Sequence, residues 1–317
     1  MESNFVLISS GVPQGSILDP FLFLIYINDF EKATNYFSLR LFADDTSLTT
    51  AGKDLDILLQ KINFELPAIH EWLCSNRLTL NLSTTKYLVF QPRQKLNSNL
   101  YPPLKLADQY LEQSYSVKYL GLIIYCFPSW HEHIDHISRK VSKSVNIIAK
   151  LEPHVTSQSL ISIYYAIVYP YLTYGCVLWG NNYEAPLSQL VRLQNKVVRI
   201  INNVPLCDHI TPHYVNLGLI KLPDIVKLYT CQLFYDHLIN KKSSNLNLSL
   251  VSEQHNYATR SVSLQHLNPE SFRINIRKFC PTILGCYYWN DIPISIRNRP
   301  TKKLFKKALR QFYFAQY

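Results

Sequence analysis

GVPQGSILDPFLFLIYINDFEKATNYFSLRLFADDTSL, residues 11–48, is the stretch that decides how this chain is read. Gly11-Val12-Pro13-Gln14-Gly15 is a turn, and the preceding Val6 to Ser9 reads as the end of a strand. Ser16 opens a helix that runs to Phe30, with Asp19 three residues on as the second member of a capping box. Its residues are apolar all round, which predicts burial on most sides. Leu39 to Thr50 alternates as a hairpin whose tip is Asp44-Asp45. Adjacent carboxylates raise one another's pKa, and a divalent cation removes that penalty. Most Asp-Asp pairs are nevertheless solvated turns, so the surroundings of this one carry the weight.

Downstream, Leu55, Leu58, Leu59, Ile62, Leu66, Ile69 and Leu73 recur at helical spacing, with a kink expected at Pro67. Leu78 to Phe90 reads as strands around Ser83-Thr84-Thr85-Lys86, residues 92–116 as a polar connector, and Val117 to Tyr125 as a strand pair around Gly121. From Trp130 the chain turns helical. Ile134, Ile137, Val141, Val145 and Ile148 share one face and Arg139, Lys143 and Lys150 the other. A second such helix spans about Ala185 to Asn203, with Leu187, Leu190, Val191, Val197, Val198 and Ile201 inward and Arg192, Lys196 and Arg199 as an outward basic stripe. Leu160 to Gly180 carries no charge and is long enough to span a bilayer. Pro170 at its middle and tyrosines at every depth instead predict a buried core helix, and no stable membrane association. Residues 241–250, rich in Lys, Ser and Asn, read as a late linker.

The net charge of +10 is unevenly spread. Residues 1–85 hold five Lys/Arg and ten Asp/Glu, a balance of −5, against 27 and 12 in residues 86–317, a balance of +15. An acidic front joined to a basic body suits a protein that gathers cations in one place and a polyanion over the rest. The seven cysteines are scattered without C-x2-C spacing, so neither zinc nor a disulfide framework is expected. Met1 is followed by no basic and apolar leader pattern, which together with reduced thiols predicts a nuclear or cytoplasmic protein. His131, His133 and His136 lack metal-ligand spacing and are expected in surface or capping roles.

The order of these elements resembles the reverse transcriptases of non-LTR retrotransposons. The resemblance rests on Gly11 to Ser16, Phe23-Leu24-Ile25-Tyr26-Ile27-Asn28-Asp29, Phe42-Ala43-Asp44-Asp45, Leu80-Asn81 with Lys86, and Lys118-Tyr119-Leu120-Gly121. It extends to the tail, Tyr288-Trp289-Asn290-Asp291-Ile292-Pro293 with Ile296-Arg297 and Phe305-Lys306. It implies an α+β fold: a partial polymerase palm over 1–126, a helical thumb over 127–205 and a basic C-terminal domain over 206–317. It implies that Asp44 and Asp45 bind Mg2+ in a two-metal site, where such ions activate a 3′-hydroxyl and steady the leaving pyrophosphate. By the same resemblance Pro13, Gln14 and Gly15 run beside the template and nascent base pair, and Lys86 is a proton donor to pyrophosphate. Lys118 lies in the hairpin that grips the primer, and Arg139, Lys143, Arg192, Lys196 and Arg199 track phosphates. The partners implied are an RNA template, a DNA primer and deoxynucleoside triphosphates.

Two departures qualify this expectation. Asp19 stands where the family usually has Gly before Pro. The family's first catalytic Asp lies upstream of the Gly-Val-Pro-Gln-Gly turn, whereas Glu2 is the one acid among the ten residues that precede Gly11 here. An N-terminally truncated domain, inactive alone, is therefore expected. The alternative is a non-catalytic, nucleic-acid-binding remnant of a transposon. A group II intron maturase shares the palm motifs, but the Trp-Asn-Asp-Ile-Pro ending argues against it.

Overall fold

A computed structural model of the chain describes residues 15–91, 102–127, 129–239, 246–254, 257 and 259–317. The strand expected at Val6 to Ser9 and the predicted site residues Pro13 and Gln14 lie outside them. The fold is α+β, in two compact units, Met1–Phe127 and Pro128–Tyr317.

In the first unit a helix, α1 (Asp19–Ile27), leads to an antiparallel hairpin of β1 (Ser38–Phe42) and β2 (Asp45–Thr49). The Ser16 hydroxyl accepts from the Asp19 N–H at 3.1 Å, which supplies half of the expected capping box. The long helix α2 (Leu55–Ser75) is capped by Asp54, whose carboxylate accepts from the Ile57 N–H, and it continues through Pro67. Short strands follow: β3 (Lys86–Tyr87), β4 (Lys105–Leu106), β5 (Gln109–Tyr110) and β6 (Glu112–Gln113). A tight hairpin, β7 (Ser116–Tyr119) and β8 (Leu122–Tyr125), closes the unit. Its two turn residues, Leu120 and Gly121, both have positive φ, the conformation that matches the twist of a two-residue hairpin.

Three expectations change here. Helix α1 is not buried on most sides: Phe21 and Ile25 are 69% and 71% exposed and only Ile27 is buried. The described core takes only the end of the helix, where Phe23, Ile27 and Phe30 meet Leu39, Leu59 and Leu66. Leu78 to Thr85 forms no strand, because Asn81 organises a turn whose carbonyl accepts from the N–H groups and hydroxyls of Thr84 and Thr85. The polar connector, where described, contributes Leu104 and Leu106 to the core. Asn63 on α2 holds it there, donating to the Pro103 carbonyl and accepting from the Lys105 N–H.

The second unit is mostly helical. It contains α3 (His131–Leu151), α4 (Ser157–Ile167), α5 (Tyr169–Thr173), α6 (Cys176–Trp179), α7 (Glu184–Asn202), α8 (Thr211–Asn216) and α9 (Leu222–Leu238). It continues with β9 (Ser249–Leu250), α10 (Arg260–Ser263), β10 (Leu267–Asn268), α11 (Pro281–Asp291), α12 (Ile294–Arg297) and α13 (Lys302–Phe314). The amphipathic readings of α3 and α7 hold: Ile134, Val141, Val145, Ile148, Leu190, Val197 and Val198 are buried between packed helices. The uncharged stretch 160–180 is not one helix but α4, α5 and α6, interrupted at Pro170 and at Gly175, which has φ +61°. No described helix is long and apolar enough to cross a membrane. The expected linker 241–250 lies partly outside the described residues, and Ser249–Leu250 within it pairs with β10.

The tail pattern has a structural explanation. Trp289 and Ile292 are buried, and Asn290 brackets Leu267, accepting from its N–H at 2.8 Å and donating to its carbonyl at 2.9 Å. Arg297, 3% exposed, donates to the carbonyls of Leu264 and Gln265. These residues tie α11 and α12 to the segment around β10.

His133 is likewise a core residue rather than a surface one. It is 2% exposed, with its ring edge-on to Trp130 and Trp179 at 6.1 and 6.0 Å. Burial, reinforced by the neighbouring His136, pushes its pKa down to about 4. The folded state therefore resists a proton that the unfolded chain accepts near pH 6.5. Stability is complete above that pH and falls as the pH drops toward 4, by about 2–3 kcal/mol at pH 4.5. Urea melts at pH 7 and pH 4.5 should show this loss, and His133→Gln should remove most of it.

Candidate active site

The β1–β2 hairpin places the paired carboxylates. Phe42 pairs with Asp45 in register, so Ala43 and Asp44 form the two-residue turn and Asp45 begins the return strand. Ala43 has φ +51°, the backbone setting that turns the chain tightly and holds Asp44 at the tip. Both carboxylates are exposed, and no described Lys, Arg or His stands within ion-pair distance of either. Two unneutralised carboxylates side by side suit a hard divalent cation, which Mg2+ sites often hold with one or two carboxylates plus substrate phosphates. Asp44 and Asp45 fit part of such a site. Among the described residues no third His, Cys, Asp or Glu joins them in a group that could close around a metal.

Gly15 lies in the turn before α1 with φ +85°, a conformation that side-chain-bearing residues rarely adopt. A Cβ at this position would meet nothing within 4 Å, so the described fold asks for glycine through its backbone and not through packing. Lys86 is engaged: its Nζ lies 2.8 Å from Glu112 Oε1, across the parallel pairing of β3 with β6. Lys118 is exposed on β7, opposite Ile123. In the second unit Arg139 and Lys143 are exposed on α3, and Arg192 and Lys196 on α7. Arg199 differs from its stripe. Its guanidinium donates to the carbonyls of Pro205 and Asp208, fastening the segment after α7, so several of its donors are already used.

Sequence reasoning missed Gln194 and Glu112. Gln194 sits on the apolar side of α7, fully buried, and its polar type among inward positions was the available signal. Glu112 carried no local signal, since its pairing with Lys86 spans 26 residues.

Asp44 at the turn and Asp45 at the start of the return strand leave two exposed carboxylates on one hairpin of an α+β unit. Residues 2–124 match the family model for reverse transcriptase (RNA-dependent DNA polymerase). The chain is also 25% identical over 253 residues to the probable RNA-directed DNA polymerase from transposon X-element of Drosophila melanogaster, covering 76% of this chain and 27% of that protein. It is 25% identical to the RNA-directed DNA polymerase from mobile element jockey of the same species, over 64% of this chain and 23% of the relative. The probable RNA-directed DNA polymerase from transposon BS, again from Drosophila melanogaster, is 23% identical over 70% of this chain and 25% of the relative. No solved structure matches the chain. The reverse transcriptase match is confined to residues 2–124, and the relatives similar to this chain are RNA-directed DNA polymerases of mobile elements. The chain spans about a quarter of the length of these curated relatives.

Proposed function

We propose that this chain contributes palm, thumb and C-terminal segments to RNA-directed DNA synthesis on an RNA template with a DNA primer. The observation that carries the reading is the Asp44-Asp45 pair on the β1–β2 turn, inside the stretch that matches reverse transcriptases. In this reading residues 1–126 are palm, 127–205 thumb and 206–317 a basic C-terminal domain. Asp44 and Asp45 hold Mg2+, which supplies charge neutralisation and orientation to the reacting phosphate when bound. Pro13, Gln14 and Gly15 border the template and incoming nucleotide. Lys118, Arg139, Lys143, Arg192 and Lys196 contact phosphates, with Arg199 contributing what its bonds to Pro205 and Asp208 leave free.

Lys86 is the proton donor to pyrophosphate in this scheme, and Glu112 is what orients it. The ion pair is partly exposed, so its own contribution to stability is small and Lys86 can exchange it for a phosphate. Primer extension tests the assignment. With the chain joined to a family-matched upstream polymerase segment, Lys86→Ala should slow extension by about 10²–10⁴-fold, the usual worth of a general acid. An unchanged rate would reduce Lys86 to a structural partner of Glu112.

A second reading, a non-catalytic nucleic-acid-binding protein with the same fold, is favoured by one observation: Asp44 and Asp45 have no third acidic partner among the described residues. Primer extension by the chain joined to a family-matched upstream polymerase segment, with Mg2+ and deoxynucleotides, separates the two. Extension would refute the second reading.

A further inference from the structure

The last 26 residues, 292–317, contain seven Lys and Arg and no Asp or Glu. Most of this charge stands on α13, where Lys302, Lys303, Lys306 and Lys307 are exposed. Lys302 is paired with Asp236 on α9, and Lys306 lies 6.0 Å above the ring of Tyr229. Among the described residues no carboxylate lies within ion-pair distance of Lys303, Lys306 or Lys307.

Helix stability does not explain this placement. The N-terminal end of a helix carries partial positive charge, which favours acids and disfavours lysine, and the first turn of α13 holds no acid. Lys302 with Lys306 and Lys303 with Lys307 are also like-charge pairs four residues apart, an arrangement that destabilises a helix. The helix forms regardless because Thr301 caps it and Phe305, Leu309 and Tyr313 are buried in the unit's core. An uncompensated cluster kept against local electrostatics calls for an anion from outside the chain.

The form of the cluster selects among anions. Lys303 and the pair Lys306 with Lys307 lie one turn apart, so cations repeat every 5 Å or so along the axis, a row that matches an extended polyanion better than a compact one. An amphipathic basic helix can also lie on a lipid surface, but it does so by inserting its apolar face. The apolar face of α13 is already spent inside the fold. We infer that the exposed side of α13 is a nucleic-acid contact face, in which Lys303, Lys306 and Lys307 bind successive backbone phosphates without reading bases. This surface is separate from the α3 and α7 stripes and does not rest on the polymerase reading.

The test uses the whole chain and labelled single-stranded RNA and duplex DNA, measured by fluorescence anisotropy across a salt series. The triple variant Lys303→Gln, Lys306→Gln, Lys307→Gln should bind about tenfold more weakly near 100 mM salt, and its slope of log affinity against log salt should fall by about two to three. Its melting temperature should equal or exceed that of the unchanged protein, because the substitutions relieve repulsion, and this excludes misfolding as the cause. Lys53→Gln with Lys61→Gln, exposed lysines of the first unit, controls for net charge and should alter affinity less than twofold. An unchanged slope in the triple variant overturns the inference, as does a loss equalled by the Lys53/Lys61 control. Capture of phosphatidylserine vesicles in place of nucleic acid overturns it too. Loss of binding on Arg192→Gln with Lys196→Gln alone would leave the polymerase reading standing and refute only the role of α13.

Discussion

Asp44→Ala is expected to abolish primer extension when the chain is joined to a family-matched upstream polymerase segment. The loss should be at least about a thousandfold, since a metal-held phosphate supplies several kcal/mol of charge stabilisation and each 1.4 kcal/mol is a factor of ten. The side chain is exposed at a two-residue turn, so removing it should leave folding unchanged. Extension should fall in kcat while primer–template affinity, which the proposal assigns to Lys118 and the basic helix faces, stays within about twofold. A fusion that extends primers and is indifferent to Asp44→Ala would show that this hairpin is not the catalytic one.

Gln194→Leu should be the most damaging polar substitution in the second unit. The Gln194 amide donates to the Tyr164 hydroxyl at 3.0 Å and to the Ile220 carbonyl at 2.9 Å, and its oxygen accepts from the Leu222 N–H at 2.8 Å. The last bond matters most, because it satisfies an N–H at the start of α9, which has no side-chain cap of its own. Leucine has similar volume but would strand these buried groups at about 1–3 kcal/mol each. With partial relaxation the total is on the order of 3 kcal/mol, a drop in melting temperature of about 6–12 °C for a unit of this size. Differential scanning calorimetry would measure it. A shift below about 2 °C would mean that Tyr164, Ile220 and Leu222 find other partners.

The contrast between Asp44 and Gln194 shows which features were legible in advance. Asp44 and Asp45 lie on a local hairpin, where alternation of Leu39 and Leu41 against Leu48 sets register and the turn follows within two residues. The β7–β8 hairpin at Gly121 was readable for the same reason, as were the apolar faces of α3 and α7, whose period needs only the helix's own geometry. Helix α1 misled because apolar composition states what a segment can bury and not what covers it. In the described structure only its C-terminal end meets α2 and the hairpin.

Lys86 was placed by resemblance, Arg199 by helical period and His133 by spacing, yet their partners are remote or follow a loop: Glu112, the carbonyls of Pro205 and Asp208, and the rings of Trp130 and Trp179. The same holds for Arg297 and Asn290, whose place in the tail pattern was visible but whose role, bracketing the segment around β10, was not. Sequence alone determined the order of elements, the hairpin that carries Asp44 and Asp45 (though its turn is Ala43-Asp44, one residue earlier than expected), the basic body and the helical faces, because periodicity, turn chemistry and charge act over a few residues. Tertiary structure alone decided which polar side chains are buried and paired, which lysines keep their charge unpartnered, and how much of α1 the core accepts. Those outcomes depend on contacts between residues tens of positions apart, and short-range patterns carry no record of them.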